Sequence, residues 1–314
     1  MIFLKRALLQ RIVVMSILFL SFVTVKAQKP FVVVLGVAQD AGYPQIGCEQ
    51  DCCKQVWLGN NSRQMVTSLA LVDPASKKWW LFEATPDITA QLQLFKSITK
   101  NQYSFLPEAI FITHAHIGHY TGLMYLGKEA LNASNQKIYV LPRLKNFLET
   151  NGPWSQLVSI KNIQINELAA NKAIALNESL QVKAFTVPHR DEFSETAGFV
   201  IQYQNKQMIF IPDIDKWAKF SNDIASFLQQ ATYSFIDATF YKDGEIKGRS
   251  MNEIPHPFVQ ETKLLLKDLN TKAKKKIVFI HFNHSNPLLN KQSAAFKETN
   301  KEFGVAMQGN IYAF

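Results

Sequence analysis

Thr113-His114-Ala115-His116-Ile117-Gly118-His119-Tyr120-Thr121-Gly122-Leu123 places three of the chain's seven histidines within six positions, at the end of an apolar run. Neutral imidazole binds zinc or iron, and two histidines one residue apart on a tight loop after a strand can aim at the same cation. The stretch therefore reads as a metal site. The other four, His189, His256, His281 and His284, fall after or near β-type runs or in loops that could converge with the first cluster.

Working outward, β-branched and aromatic runs predict strands over 31–35, 68–72, 78–82, 108–113, 137–141, 180–187, 198–203, 207–211, 233–236 and 276–280. Helical spacing predicts helices over 87–97, 122–132, 144–150, 214–230 and 256–269. Strands alternating with helices, together with a hairpin around Asn205-Lys206, predict two mixed sheets covered by helices. Five of the apolar runs end on a ligand-type side chain: Thr113 leads into His114, Pro188 into His189, Pro212 into Asp213, Ile236 into Asp237 and Ile280 into His281. In layered α/β proteins that strand edge is where loops gather a site on a rigid scaffold.

A chain of 314 residues with 47% hydrophobic content can bury a large core, and no linker, repeat or low-complexity tract divides it. One domain is expected over residues 28–314. Ahead of it, Lys5, Arg6 and Arg11 precede an apolar stretch over 12–25 that ends at Val25-Lys26-Ala27. That is the pattern of a secretory signal peptide over residues 1–27, which predicts a periplasmic or secreted protein. Left uncleaved, the segment would be the chain's one contact with a membrane. The formal charge of +9 owes much to this segment, and the remainder is mildly basic. Lys272, Lys274, Lys275 and Lys276 read as a solvated helix end, and no basic stripe with interleaved aromatics argues for nucleic acid.

Cys48, Cys52 and Cys53 are the chain's three cysteines. Two readings stand: a thiolate cluster on a structural metal with a fourth ligand from elsewhere, or a local disulfide beside a free thiol.

A histidine triplet after a strand, then a histidine, then an aspartate after a further strand, then a histidine after the last strand, is the ligand order of the metallo-β-lactamase superfamily. The chain resembles that superfamily, and in particular its pyrroloquinoline quinone biosynthesis protein B branch and the related phosphodiesterase branch. The stretches that carry the likeness include Gly42-Tyr43-Pro44-Gln45, Ala84-Thr85-Pro86-Asp87, Asp237-Ala238-Thr239-Phe240 and Ile280-His281-Phe282-Asn283-His284-Ser285-Asn286-Pro287. The resemblance implies an αβ/βα sandwich with a metal centre at one edge of the two sheets. It implies that His114, His116 and His189 hold a first metal and that Asp213 bridges to a second, held by His119 and His281. His256 falls where the phosphodiesterase branch has a further active-site histidine. The cysteine segment resembles a metal-binding cluster of the quinone branch, although its Cys-x-x-x-Cys-Cys spacing differs, and His284 receives no role. The common motif is His-x-His-x-Asp-His, whereas this chain has Gly118 in place of the aspartate. Glycine is free to turn the loop differently, and the loss of a ligand predicts one tightly bound metal with a weak or absent second.

These readings converge on an exported zinc-dependent hydrolase acting on an ester, phosphodiester or amide bond of a small molecule. Asp213 would orient the attacking water, and His256 or His281 would protonate the leaving group. Asp191 and Glu192, just past His189, are candidate contacts to ligands or substrate, and Trp154, Glu195 and Thr196 candidate pocket residues. The competing expectations are a mononuclear iron oxidoreductase acting on an aromatic or quinone precursor, and a non-catalytic binding protein with a degraded site.

Overall fold

The computed structural model describes residues 28–314 apart from 221, 222, 247 and 249. The predicted signal peptide, 1–27, lies outside the described residues. Fourteen strands are present among the described residues. They are β1 (Phe31–Gly36), β2 (Ser68–Asp73), β3 (Lys78–Phe82), β4 (Ile110–Phe111), β5 (Gln136–Val140), β6 (Ile163–Glu167), β7 (Ala173–Ala175), β8 (Leu180–Val187), β9 (Thr196–Tyr203), β10 (Lys206–Ile211), β11 (Tyr233–Asp237), β12 (Ile277–Ile280), β13 (Gly304–Val305) and β14 (Ile311–Ala313). One sheet has the order β14-β1-β2-β3-β4-β5-β6 and the other β13-β12-β11-β10-β9-β8-β7.

Each sheet is half antiparallel and half parallel, as the mixed pattern predicts. In the first, β1, β2 and β3 alternate in direction and β3 to β6 run parallel. In the second, β8, β9 and β10 alternate and β10 to β13 run parallel. It follows that β1, β3 and β4 end at one edge of the first sheet, and that β8, β10, β11 and β12 end at one edge of the second.

Period-two alternation sorts the side chains of the first sheet. Val32, Val34, Leu69, Leu71, Trp80, Phe82 and Phe111 face the second sheet, where Phe199, Phe210 and Phe279 meet them. Their neighbours Val33, Leu35, Trp79, Leu81 and Ile110 face outward under a helix, Ile88–Ile98, whose Ile88, Leu92 and Phe95 recur at helical spacing. Trp79 stacks on Phe95 with ring centroids 4.0 Å apart. Phe82 is the joint between the sheets: it stacks on Phe111 at 5.1 Å and meets Phe199 and Phe210 edge-on at 5.4 and 6.1 Å.

Three predicted helices change where they matter to the site. The stretch 122–132 yields only a 3₁₀ turn, Thr121–Leu126, because Gly122 donates to the Ala84 carbonyl and is pressed onto that backbone. Over 214–230 the chain makes a 3₁₀ turn, Trp217–Lys219, and then a short helix, Ile224–Gln229, capped by Asp223. The helix expected from 256 begins only at Val259. Pro257 disfavours helical backbone at the residue before it, so His256 stands on a loop instead of a helix face.

Replacing Phe82 with alanine removes the aromatic joint of both sheets. We expect a loss of about 3–5 kcal/mol of unfolding free energy, measured by denaturant titration. A loss below about 1 kcal/mol, the cost of a tolerated swap of similar volume, would show that the sheets do not depend on this contact.

Candidate metal centre

The five ligand-type residues at the strand ends meet in one place. Asp213 follows β10, and its Oδ2 lies 3.4 Å from His114 Nε2, 3.2 Å from His189 Nε2 and 3.8 Å from His116 Nδ1. These four side chains each offer one donor atom within 4.8 Å of the others. Their remaining nitrogens are fixed from behind. His114 Nδ1 sits 2.8 Å from the Thr113 hydroxyl, His189 Nδ1 3.2 Å from Asp215 Oδ1, and His116 Nε2 3.3 Å from Glu192 Oε2. Outer partners of this kind set ring orientation and tautomer at metal sites. Burial, helped by the neighbouring His119, holds His114 well below the usual imidazole pKa and so neutral, the form that ligates.

A second set adjoins the first on the β1 and β12 side. Here Asp40, His119 and His281 also present donor atoms within 4.8 Å of one another, and Asp213 with Asp237 and His281 forms an overlapping group. His119 Nδ1 faces Glu83 Oε1 at 3.2 Å, while Glu83 also accepts from the Thr113 backbone and hydroxyl. Glu83 and His281 both adopt positive φ, 73° and 68°. Such strain in non-glycine residues persists only where the surroundings impose it.

His114 Nε2, His119 Nε2, His281 Nε2, Asp213 Oδ1 and Asp40 Oδ1 are all buried without a hydrogen-bond partner. Each such orphan ordinarily costs about 1–3 kcal/mol, and a bound cation would satisfy the group together. The residues fit a metal cofactor.

His256 lies beside the first set, its ring centroid 5.5 Å from that of His189. Its Nδ1 is 2.8 Å from Asp237 Oδ2 and 3.2 Å from Asp213 Oδ1. Asp237 is in turn held by the Thr239 backbone and hydroxyl and by the Ile214 backbone amide. Burial opposes the charged imidazole, but Asp237 and Asp213 outweigh it and hold the His256 pKa well above the ordinary value.

The cysteines are free and form no disulfide. Cys48 and Cys52 sulfurs lie 3.9 Å apart and Cys52 and Cys53 4.0 Å, while His284 Nδ1 is 3.6 Å from Cys52 Sγ and 3.4 Å from Cys53 Sγ. A tetrahedral zinc with bonds of about 2.3 Å to sulfur separates its sulfurs by about 3.8 Å, so the four side chains stand at ligand spacing. His284, which receives no role from the sequence alone, is thus the fourth member that the cysteines needed. Of the proposed pocket residues, Trp154 is buried against Tyr120, Thr196 is buried in β9, and Glu195 accepts from the Arg143 backbone; none faces the donor atoms. Sequence reading also missed Asp40, Glu83 and Asp215. Glu83 follows β3 directly, and the strand-end rule applied to that shorter run would have found it.

A sequence model of the Beta-lactamase superfamily domain matches residues 78–282. The chain belongs to the beta-lactamase superfamily. Among curated relatives, it is 24% identical over 299 residues to coenzyme PQQ synthesis protein B of Methylococcus capsulatus, covering 87% of this chain and 95% of that protein. Its fold is shared with zinc-bound PqqB from Methylobacterium extorquens, with a TM-score of 0.75 and 22% identity over 90% of this chain and 100% of that one. A diphosphatase of the PhnP family aligns with a TM-score of 0.62 and 20% identity over 91% and 98%. The superfamily's two-sheet αβ/βα sandwich is therefore the architecture of this chain, which resembles PqqB proteins in sequence and fold.

Burial pushes the Cys53 thiol up to about 12 and raises Cys52 as well, whereas burial lowers His284 and leaves its imidazole neutral. A cation must displace the thiol protons, so its affinity should fall as pH falls, by about one order of magnitude per pH unit for each proton released. Zinc competition against a chromophoric chelator across the neutral range measures this. Affinity independent of pH would rule out thiolate ligation.

Proposed function

We propose that the chain is an exported, metal-dependent hydrolase that cleaves an ester, phosphodiester or amide bond of a small molecule. The observation that carries this reading is the four-donor set of His114, His116, His189 and Asp213 standing beside His256, whose Nδ1 is held 2.8 Å from Asp237 Oδ2. Zinc held by that set would polarise the scissile group and lower the pKa of a water toward neutrality.

The protein's own side chains do the rest. Asp213 is held ionised: burial works against its charge, but His256 and His189 outweigh it and keep its pKa well below the carboxylate range. Its Oδ2 is therefore an acceptor that can orient a water in the donor set. Asp237 and Asp213 raise the His256 pKa and so favour its charged form, which, steadied by Asp237, can deliver a proton to a leaving group. Glu192, at 3.3 Å from His116, sets the ring that faces the mouth of the site. Export rests on the basic and apolar pattern over residues 1–27, and no helix among the described residues is long and apolar enough to cross a membrane.

A second reading has one observation in its favour: the curated relatives are named for coenzyme PQQ synthesis. Histidine and carboxylate donors suit iron as well as zinc, so the alternative is a mononuclear iron oxidoreductase acting on an aromatic or quinone precursor.

Elemental analysis of protein purified without added metal separates the two. Zinc with hydrolytic turnover on an ester and phosphodiester panel supports the hydrolase, whereas stoichiometric iron with oxygen consumption supports the oxidoreductase. His116→Ala should lose one metal per chain, and a full complement in that variant would sink the ligand assignment. His256→Gln should keep its metal yet lose about 10²–10⁴-fold in kcat. In the wild type, the rate should fall as pH rises through the raised His256 pKa, because the proton donor is then lost. An unchanged pH profile in the variant would remove His256 from that role.

A further inference from the structure

Gly118 does not serve to bend its loop. It lies in the helical turn Ile117–Tyr120 and has no positive φ, so its backbone suits any residue. What it provides is room. A Cβ built on Gly118 would collide with Asp40 Oδ1 and come within 2.5 Å of the Asp40 Cα. The carboxylate of Asp40 fills the space that a side chain at 118 would occupy.

Asp40 reaches this place because β1 ends at the same sheet edge as β3 and β4. Two backbone hydrogen bonds, Gln39 to the Phe282 carbonyl and Phe282 to the Val37 carbonyl, fasten its loop to the loop of His281. Its Oδ1 stands 3.2 Å from His119 Nε2 and 4.0 Å from His281 Nε2. A simple buried ion pair would satisfy these atoms by hydrogen bonding. Instead all three are buried without a hydrogen-bond partner, as donors aimed at a common point between them are. Asp213 Oδ2 lies 3.8 Å from His119 Nε2, which puts a second carboxylate beside the same point.

We propose that Asp40 supplies the ligand that residue 118 lacks, so that Asp40, His119 and His281, with Asp213 shared, bind a second divalent cation next to the first. This rests on the metal-centre reading above, and it replaces the expected weak or absent second site with a complete one. The carboxylate comes from a different strand, and the glycine is the space that admits it.

The test uses Mn(II) as the probe, because this hard cation favours oxygen and nitrogen donors and avoids the cysteine cluster. Metal-stripped full-length protein is titrated with Mn(II) and followed by electron paramagnetic resonance. The wild type should bind two ions per chain and show an exchange-coupled spectrum. Asp40→Asn, which keeps the shape of the side chain, should bind one ion with an uncoupled spectrum, the second being weakened by at least about 10–100-fold, the range that even a lost outer partner costs. Gly118→Ala should produce the same loss by displacing Asp40, without touching any donor. A wild type that binds a single ion, or an Asp40→Asn variant that still shows the coupled pair at wild-type affinity, would overturn the proposal. Binding of no ion at all by the wild type would instead overturn the metal-centre reading on which it rests.

Discussion

One buried carboxylate organises this molecule's chemistry. Asp213 is almost wholly removed from water, and an ionised carboxylate so placed costs several kcal/mol unless compensating charge and donors surround it. Four imidazoles, those of His114, His116, His119 and His189, approach its Oδ2 within 3.8 Å, and His256 approaches Oδ1 at 3.2 Å. No single one of these contacts would hold the charge. Together they keep it, and the same crowding leaves Asp213 Oδ1 and several ring nitrogens without partners. The arrangement is stable as apoprotein only at the expense of those orphans, which is why a cation suits it.

Holding six such groups against one another needs a scaffold that does not yield. The strands supply it: His114, His189, Asp213 and His281 stand within three residues of the ends of β4, β8, β10 and β12, and Asp237 closes β11. Cross-links then tie the loops to one another. Ala197 donates to the Thr113 carbonyl and Ala115 to the Ser194 hydroxyl, joining the histidine loop to β9, while Asp215 donates to the Pro188 carbonyl and joins the loops after β8 and β10. Between the sheets, the Phe82, Phe111, Phe199 and Phe210 cluster sets their separation. Aromatic packing thus fixes distances that the imidazoles depend on.

The sequence made much of this legible, because strand endings are local. His114, His189, Asp213, Asp237 and His281 each follow an apolar run whose length marks it as a strand, and the two-sheet sandwich follows from the order of those runs. What escaped was either non-local or hidden by a proline. Asp40 lies four residues beyond Gly36, and only the pairing of β1 with β2 and of β2 with β3 brings it to the histidines. His284 meets Cys52 and Cys53 across 232 and 231 residues, a contact no spacing rule could supply. Apolar spacing continues backward through His256 and predicts a helix there, whereas Pro257 and the cap at Phe258 start the helix later. The short strands β13 and β14 carry too few residues to show a period.

The thiol cluster and the imidazole cluster are mechanically one unit. His281 and His284 sit three residues apart on the loop after β12, the first facing Asp40 and His119, the second facing the sulfurs. The loop after β1 is likewise shared: it carries Asp40, then Tyr43, whose hydroxyl donates to the Cys52 carbonyl, then Cys48. A cation among Cys48, Cys52, Cys53 and His284 would therefore pin both loops at once, some residues away from the donors they present. The pairing of Ala38 with Phe282 continues that clamp to the sheet edge. Since ligand geometry tolerates displacements of only a few tenths of an ångström, a structural ion at the sulfurs would act on the neighbouring centre through backbone position, with no charge or ligand in common.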